Sequence, residues 1–167
     1  MRTLEQWFEE YAVSHQNATN KAIHYICVPA IYFSIVGLLM SIPSQIIAAT
    51  LKLNAPIIEN WAFIVLLFVM LFYIRLSVAM AIKIAILSAI CLVLNFYIGQ
   101  IFPLWIFSIG VFVIAWIGQF YGHKIEGKKP SFLKDLQFLL IGPLWCMKGY
   151  LANILPKLKK NRNLKHT

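Results

Sequence analysis

His15, His24 and His123 are three of the four histidines in a chain of 167 residues. Neutral imidazole is the commonest transition-metal ligand, and several histidines with few thiolates suit iron, zinc or copper. Two or three histidines with an oxygen ligand and open positions form the arrangement used for non-haem Fe(II) and dioxygen chemistry. Glu126 follows His123 in Gly122-His123-Lys124-Ile125-Glu126-Gly127. About one helical turn from His123, it has three candidate roles: ligand, acceptor orienting His123, or catalytic base. Asn20 and Gln119 each precede a histidine by four residues, and Asn17 is a candidate helix cap between His15 and His24. Asn17, Asn20 and Gln119 are therefore expected to support the imidazoles. Lys128 and Lys129 follow the cluster, either as attractors for an acidic headgroup or as ordinary charges flanking a span.

The same residues also have a reading without chemistry. A histidine at a membrane boundary serves equally as an interfacial polar group, and no pair here has a helical ligand spacing such as H-x-x-x-H. Spacing leaves the metal and interfacial readings both open. His166 lies in a basic tail and is expected to be solvated. Cys27, Cys91 and Cys146 are scattered in apolar surroundings without C-x-x-C spacing, which argues against a disulfide framework or thiolate metal site.

The elements that must position these groups are apolar helices. Hydrophobic residues make up 60% of the chain and charged residues 13%, with mean hydropathy +0.75. A soluble domain carries about twice that charged fraction. Four spans are expected, at residues 25–42, 61–74, 84–98 and 101–121, with Gly99-Gln100 as a tight turn. Residues 41–60 read as a loop with interfacial character, and Pro29 as a site of kinking. Before the first span, Thr3 and Gln6 have capping-box spacing, and Leu4, Trp7, Phe8, Tyr11 and His15 share one face of an amphipathic helix. Residues 132–155 read as an interfacial or re-entrant helical segment.

The fold class expected is thus all-α, a polytopic helical membrane protein with one domain over 1–155 and a basic cytoplasmic tail over 156–167. The net charge of +9 fits membrane orientation and anionic headgroups better than nucleic acid. Lys52 stands alone among basic residues on one side of the expected spans, so the positive-inside rule puts both termini in the cytoplasm. All three histidines then share one membrane boundary, and can meet if the first and last spans pack together.

Two stretches resemble a known family, the small multi-span membrane proteins typified by the yeast endoplasmic-reticulum 2-hydroxy fatty acid dioxygenase. The first runs His15-Gln16-Asn17-Ala18-Thr19-Asn20 to His24 and ends at Cys27-Val28-Pro29. The second is Gln119-Phe120-Tyr121-Gly122-His123, then Glu126-Gly127-Lys128-Lys129-Pro130, with Gly142-Pro143-Leu144 downstream. Ala18 stands where the family usually has Pro, and Cys27 where it usually has Gly. The resemblance implies an Fe(II)-dependent oxygenase of α-oxidation. It would use O2 to shorten a long-chain 2-hydroxy fatty acid by one carbon, with loss of the carboxyl carbon.

The expectation drawn from both lines is iron held by His15, His24 and His123, with Glu126 as catalytic carboxylate, fourth ligand or supporting group, and Lys128 or Lys129 at the substrate carboxylate. Membrane lipids are the other expected contacts. The host membrane is expected to be a bacterial inner membrane, or the endoplasmic reticulum in a eukaryote. Two rivals remain: a zinc or di-metal lipid hydrolase using the same histidines, and a non-enzymatic lipid-binding or interaction protein.

Overall fold

A computed structural model describes residues 3–13, 15–127, 141–143 and 145–146. Lys128, Lys129, most of the 132–155 segment and the whole tail, including His166, lie outside the described residues. Among the described residues the helices with defined limits are, in order, α1 (Leu4–Val13), α2 (Ala18–Met40), α3 (Gln45–Leu51), α4 (Trp61–Leu76), α5 (Val78–Ile101) and α6 (Leu104–Glu126). Helices α2, α5 and α6 are long and apolar enough to cross a membrane, and α4 is a shorter apolar helix of 16 residues. At 1.5 Å per residue α4 covers about 24 Å, short of the roughly 30 Å hydrocarbon core unless flanking residues reach the interface. Trp61 opens α4 and donates its indole N–H to the Pro43 carbonyl at 3.0 Å.

The helix limits depart from the sequence expectations in two places, the α5–α6 turn and the 41–60 connection. Helix α5 starts before Lys83 and continues through Gly99 and Gln100, so the chain turns later, at Phe102 and Pro103. Proline disfavours helical conformation in the residue before it, and Phe102 is extended (φ −132°, ψ 153°). The 41–60 connection contains α3, and the Glu59 carboxylate accepts from the backbone N–H groups of Leu53 and Ala55 (2.7 and 3.1 Å). Helix α2 is continuous through Pro29, whose nitrogen has no hydrogen to donate to the preceding turn.

Helix α2 is the centre of the bundle, packing chiefly on α6 and also on α5 and α4. Tyr32 and Val36 of α2 meet Ala62 and Leu66 of α4 and Cys91 and Leu92 of α5 in one apolar cluster. Polar side chains inside the bundle pair across helices, as apolar surroundings demand. The Ser88 hydroxyl donates to the Ile84 carbonyl (2.7 Å), which leaves its oxygen to accept from Tyr32 (2.7 Å). Asn95 donates to the Phe33 and Cys91 carbonyls at 3.2 and 2.9 Å.

The α2–α6 contact is antiparallel and is made close by small residues. A Cβ on Gly118 would fall 2.6 Å from Cys27 Sγ, and one on Gly37 would collide with Ser108 and Asn95. Gly118 and Gly122 form a G-x-x-x-G pair, the spacing that lets membrane helices approach backbone to backbone. Helix α1 packs on the protein by the apolar face that its spacing defines. Phe8 and Tyr11 join Tyr73, Ala81, Ile84 and Ile141 in a second cluster, while Glu5 and Glu9 stay exposed. Its start is a reciprocal capping box: Thr3 N–H donates to Gln6 Oε1 (2.9 Å), and Gln6 N–H to Thr3 Oγ1 (3.3 Å).

Candidate metal centre

The close α2–α6 packing brings together residues about a hundred positions apart. His24 lies in the second turn of α2, His123 lies in the last turn of α6, and His15 sits in the connection entering α2. The three are 2%, 1% and 5% exposed for His15, His24 and His123. One candidate ligand atom from each lies within 4.8 Å of the others. Ring centroids are 4.2 Å apart for His15–His24, 5.0 Å for His24–His123 and 5.5 Å for His15–His123, all edge-on.

Two of the imidazoles are oriented by the same local device. His15 Nδ1 lies 2.6 Å from the Tyr11 carbonyl, and His24 Nδ1 lies 2.9 Å from the Asn20 carbonyl, each four residues earlier. A carbonyl oxygen only accepts, so Nδ1 carries the proton in both rings and Nε2 presents its lone pair. Donation from one ring nitrogen to a backbone carbonyl is how metal-binding histidines are fixed in tautomer and direction. Tyr11 also stacks flat on His15, with centroids 4.1 Å apart and planes 4° from parallel.

Asn17 caps α2, its side-chain oxygen accepting from the N–H groups of Thr19 (2.8 Å) and Asn20 (3.3 Å). Ala18 is therefore the first helical residue, the position where proline is favoured because its missing N–H is not needed. The cap keeps the same turn with alanine there. Cys27, the other departure from the resembled family, is received by Gly118, which has no side chain to obstruct it. Gly122 performs the same service one turn on, where a Cβ would collide with Asn20 Oδ1 and touch His24 Cε1 at 3.4 Å. Gln119 is buried with its side chain against His24.

Glu126 ends α6 beside this cluster and is not among the side chains whose donor atoms converge. Its Oε1 accepts from Gln16 N–H at 2.7 Å, and its Oε2 from Asn17 N–H at 2.9 Å and Asn20 Nδ2 at 3.0 Å. Gly127 closes the helix in the left-handed region (φ 71°).

Sequence spacing did not single out the residues that cover the histidines. Trp145 lies against Tyr11, Tyr25 and His15 (centroids 5.0, 5.6 and 5.5 Å), and Cys146 Sγ donates to the His24 carbonyl at 3.6 Å. Tyr11 was legible on the α1 stripe four residues before His15, whereas Trp145 follows the Gly142-Pro143-Leu144 stretch with no spacing that ties it to histidines so far upstream. A cavity of about 460 Å³ lies at the opposite end of the bundle, lined by Glu59, Asn60, Asn95 and Gln100 among others, away from the histidines.

Three buried imidazoles, two of them with Nδ1 against a backbone carbonyl so that Nε2 is the atom able to ligate, fit a borderline metal such as Fe(II) or Zn²⁺. A family model described as 2-hydroxy-palmitic acid dioxygenase Mpo1-like matches residues 1–154, and the chain belongs to that family. No curated protein and no solved structure matches it.

Proposed function

We propose that this member of the Mpo1-like family is an Fe(II)-dependent membrane dioxygenase that shortens long-chain 2-hydroxy fatty acids by one carbon. The observation that carries the proposal is the convergence of His15, His24 and His123, buried, with Nδ1 of two of them committed to backbone carbonyls. Bound there, Fe(II) supplies the one-electron chemistry that lets ground-state O2 react with a closed-shell substrate. The reaction balances without an outside reductant: a 2-hydroxy acid and O2 give the acid one carbon shorter, CO2 and water. All four electrons come from the substrate, three from the hydroxyl carbon and one from the carboxyl carbon.

The chain's own residues account for holding and enclosing the site. His15 and His24 present preset lone pairs, and Tyr11 fixes the plane of the first ring. Trp145, Tyr11 and Cys146 pack over the imidazoles and limit water around them. The lipid-facing sides of the long helices, such as Ile106, Ile114 and Ile117 on α6, suit a substrate that arrives from the membrane with its acyl chain in the apolar layer. Lys128 and Lys129 follow directly after Gly127 and are assigned to the substrate carboxylate. Both termini, on this reading, face the cytoplasm, which the distribution of basic residues supports.

The test is turnover by purified protein reconstituted with Fe(II), in detergent, with 2-hydroxypalmitate and O2. The expected result is a fifteen-carbon acid formed only when iron and O2 are both present. No turnover of 2-hydroxypalmitate with iron and O2, together with cleavage of a lipid ester by the Zn²⁺-loaded protein in the absence of O2, would instead establish a hydrolase.

A further inference from the structure

The sequence leaves Glu126 three roles, and the hydrogen bonds separate them. Both carboxylate oxygens are committed to the connection that carries His15 into α2: Gln16 N–H on Oε1, Asn17 N–H and Asn20 Nδ2 on Oε2. An ionised carboxylate only accepts and has about four lone-pair sites. Three donors at 2.7–3.0 Å leave Oε2 filled and Oε1 with one site. Two of the donors, the Gln16 and Asn17 N–H groups, are backbone groups that precede the first turn of α2 and that no carbonyl of that helix serves, and the third is the Asn20 side chain within it. The negative charge also sits at the positive end of the α2 dipole.

Asn20 links this arrangement to the imidazoles. Its side chain donates to Glu126, its carbonyl accepts from His24 Nδ1, and its Oδ1 sits against Gly122, next to His123. A shift of the Glu126 carboxylate therefore moves the residue that orients His24 and the backbone that places His15. His123 is already fixed to Glu126 through the last turn of α6.

We infer that Glu126 is a positioning residue. Its carboxylate clamps the His15–His24 connection to the end of α6 so that three imidazoles from three places in the chain meet, and it acts neither as a ligand nor as a base. This inference rests on the metal-centre reading above, and its test separates the two.

The test uses full-length protein with Glu126→Gln and Glu126→Ala. In metal-free protein, hydrogen exchange at the Gln16 and Asn17 amides reads the clamp alone. Exchange is expected to be at least about tenfold faster in Glu126→Ala, with Glu126→Gln between it and the wild type. Unchanged protection in Glu126→Ala overturns the clamp. Co(II) titration, followed by visible absorption, reads the centre. Glu126→Gln is expected to bind about 10–100-fold more weakly, the usual cost of removing a group that orients ligands, and to give the wild-type spectrum at saturation. A changed spectrum at saturating cobalt makes Glu126 a ligand and overturns the inference. So does unchanged affinity with loss of one limb of the pH–rate profile, the mark of a base. Wild-type protein that binds no cobalt while its exchange responds to Glu126→Ala contradicts the metal centre and leaves the clamp standing.

Discussion

Gly122→Ala should damage the site through a single methyl group. The added Cβ would collide with Asn20 Oδ1 and press on His24 Cε1 at 3.4 Å. Asn20 is fully buried and cannot swing aside freely, because its Nδ2 is held by the Glu126 carboxylate. Relief requires either that the bond break or that α6 move away from α2. Overpacking of this kind costs about 1–3 kcal/mol. Loss of a hydrogen bond to a charged group costs about 1.5–3 kcal/mol. Replacing a helical glycine by alanine returns about 1 kcal/mol. By either route, less the alanine gain, the net expectation is a destabilisation of up to about 2 kcal/mol. Gly110→Ala is the control, since it is the same substitution on the same helix and its Cβ would meet nothing within 4 Å. It should be neutral or stabilising by up to about 1 kcal/mol. The assay is denaturant unfolding in detergent of both variants and the wild type, with Co(II) affinity measured alongside. Equal stability of Gly122→Ala and Gly110→Ala, with wild-type cobalt binding in both, would refute the claim that α6 approaches α2 through Gly122.

Other outcomes follow from the same contacts. Gly118→Ala should destabilise the protein because its Cβ would lie 2.6 Å from Cys27 Sγ, and Cys27→Gly in the same chain should restore most of the loss, read by the same unfolding assay. Asn17→Ala removes the acceptor for the Thr19 and Asn20 N–H groups and should cost about 1 kcal/mol in unfolding; cobalt affinity should fall with it. Ser88→Ala leaves the buried Tyr32 hydroxyl without its 2.7 Å partner and should cost about 1–3 kcal/mol without altering cobalt affinity, since it lies away from the histidines.

The fold was legible where sequence alone encodes the physics. Apolar length marked the long helices, the α1 stripe marked the face that packs, and Thr3 with Gln6 marked its start. Helix ends were less legible: Gly99 and Gln100 have turn-forming composition, yet the chain turns where Pro103 constrains Phe102. The histidines could be nominated from shared depth, but their meeting depends on how closely α2 and α6 pack. That distance is set by absent side chains at Gly118 and Gly122, which no hydropathy pattern reports. Glu126 was visible as a charge near His123, but its bonds to Gln16, Asn17 and Asn20 were not, because those residues lie more than a hundred positions earlier. Trp145 and Cys146 were invisible for the same reason, since only the folded chain puts them over the imidazoles.

The central claim is that His15, His24 and His123 together hold one iron. Protein purified anaerobically with Fe(II), freed of loosely bound metal and analysed for metal and protein in the same sample, tests it most directly. About one iron per chain is expected, and His15→Ala, His24→Ala and His123→Ala should each weaken binding by more than about 100-fold, beyond the usual cost of losing an orienting group. Full iron occupancy in all three variants, or none in the wild type, would contradict it.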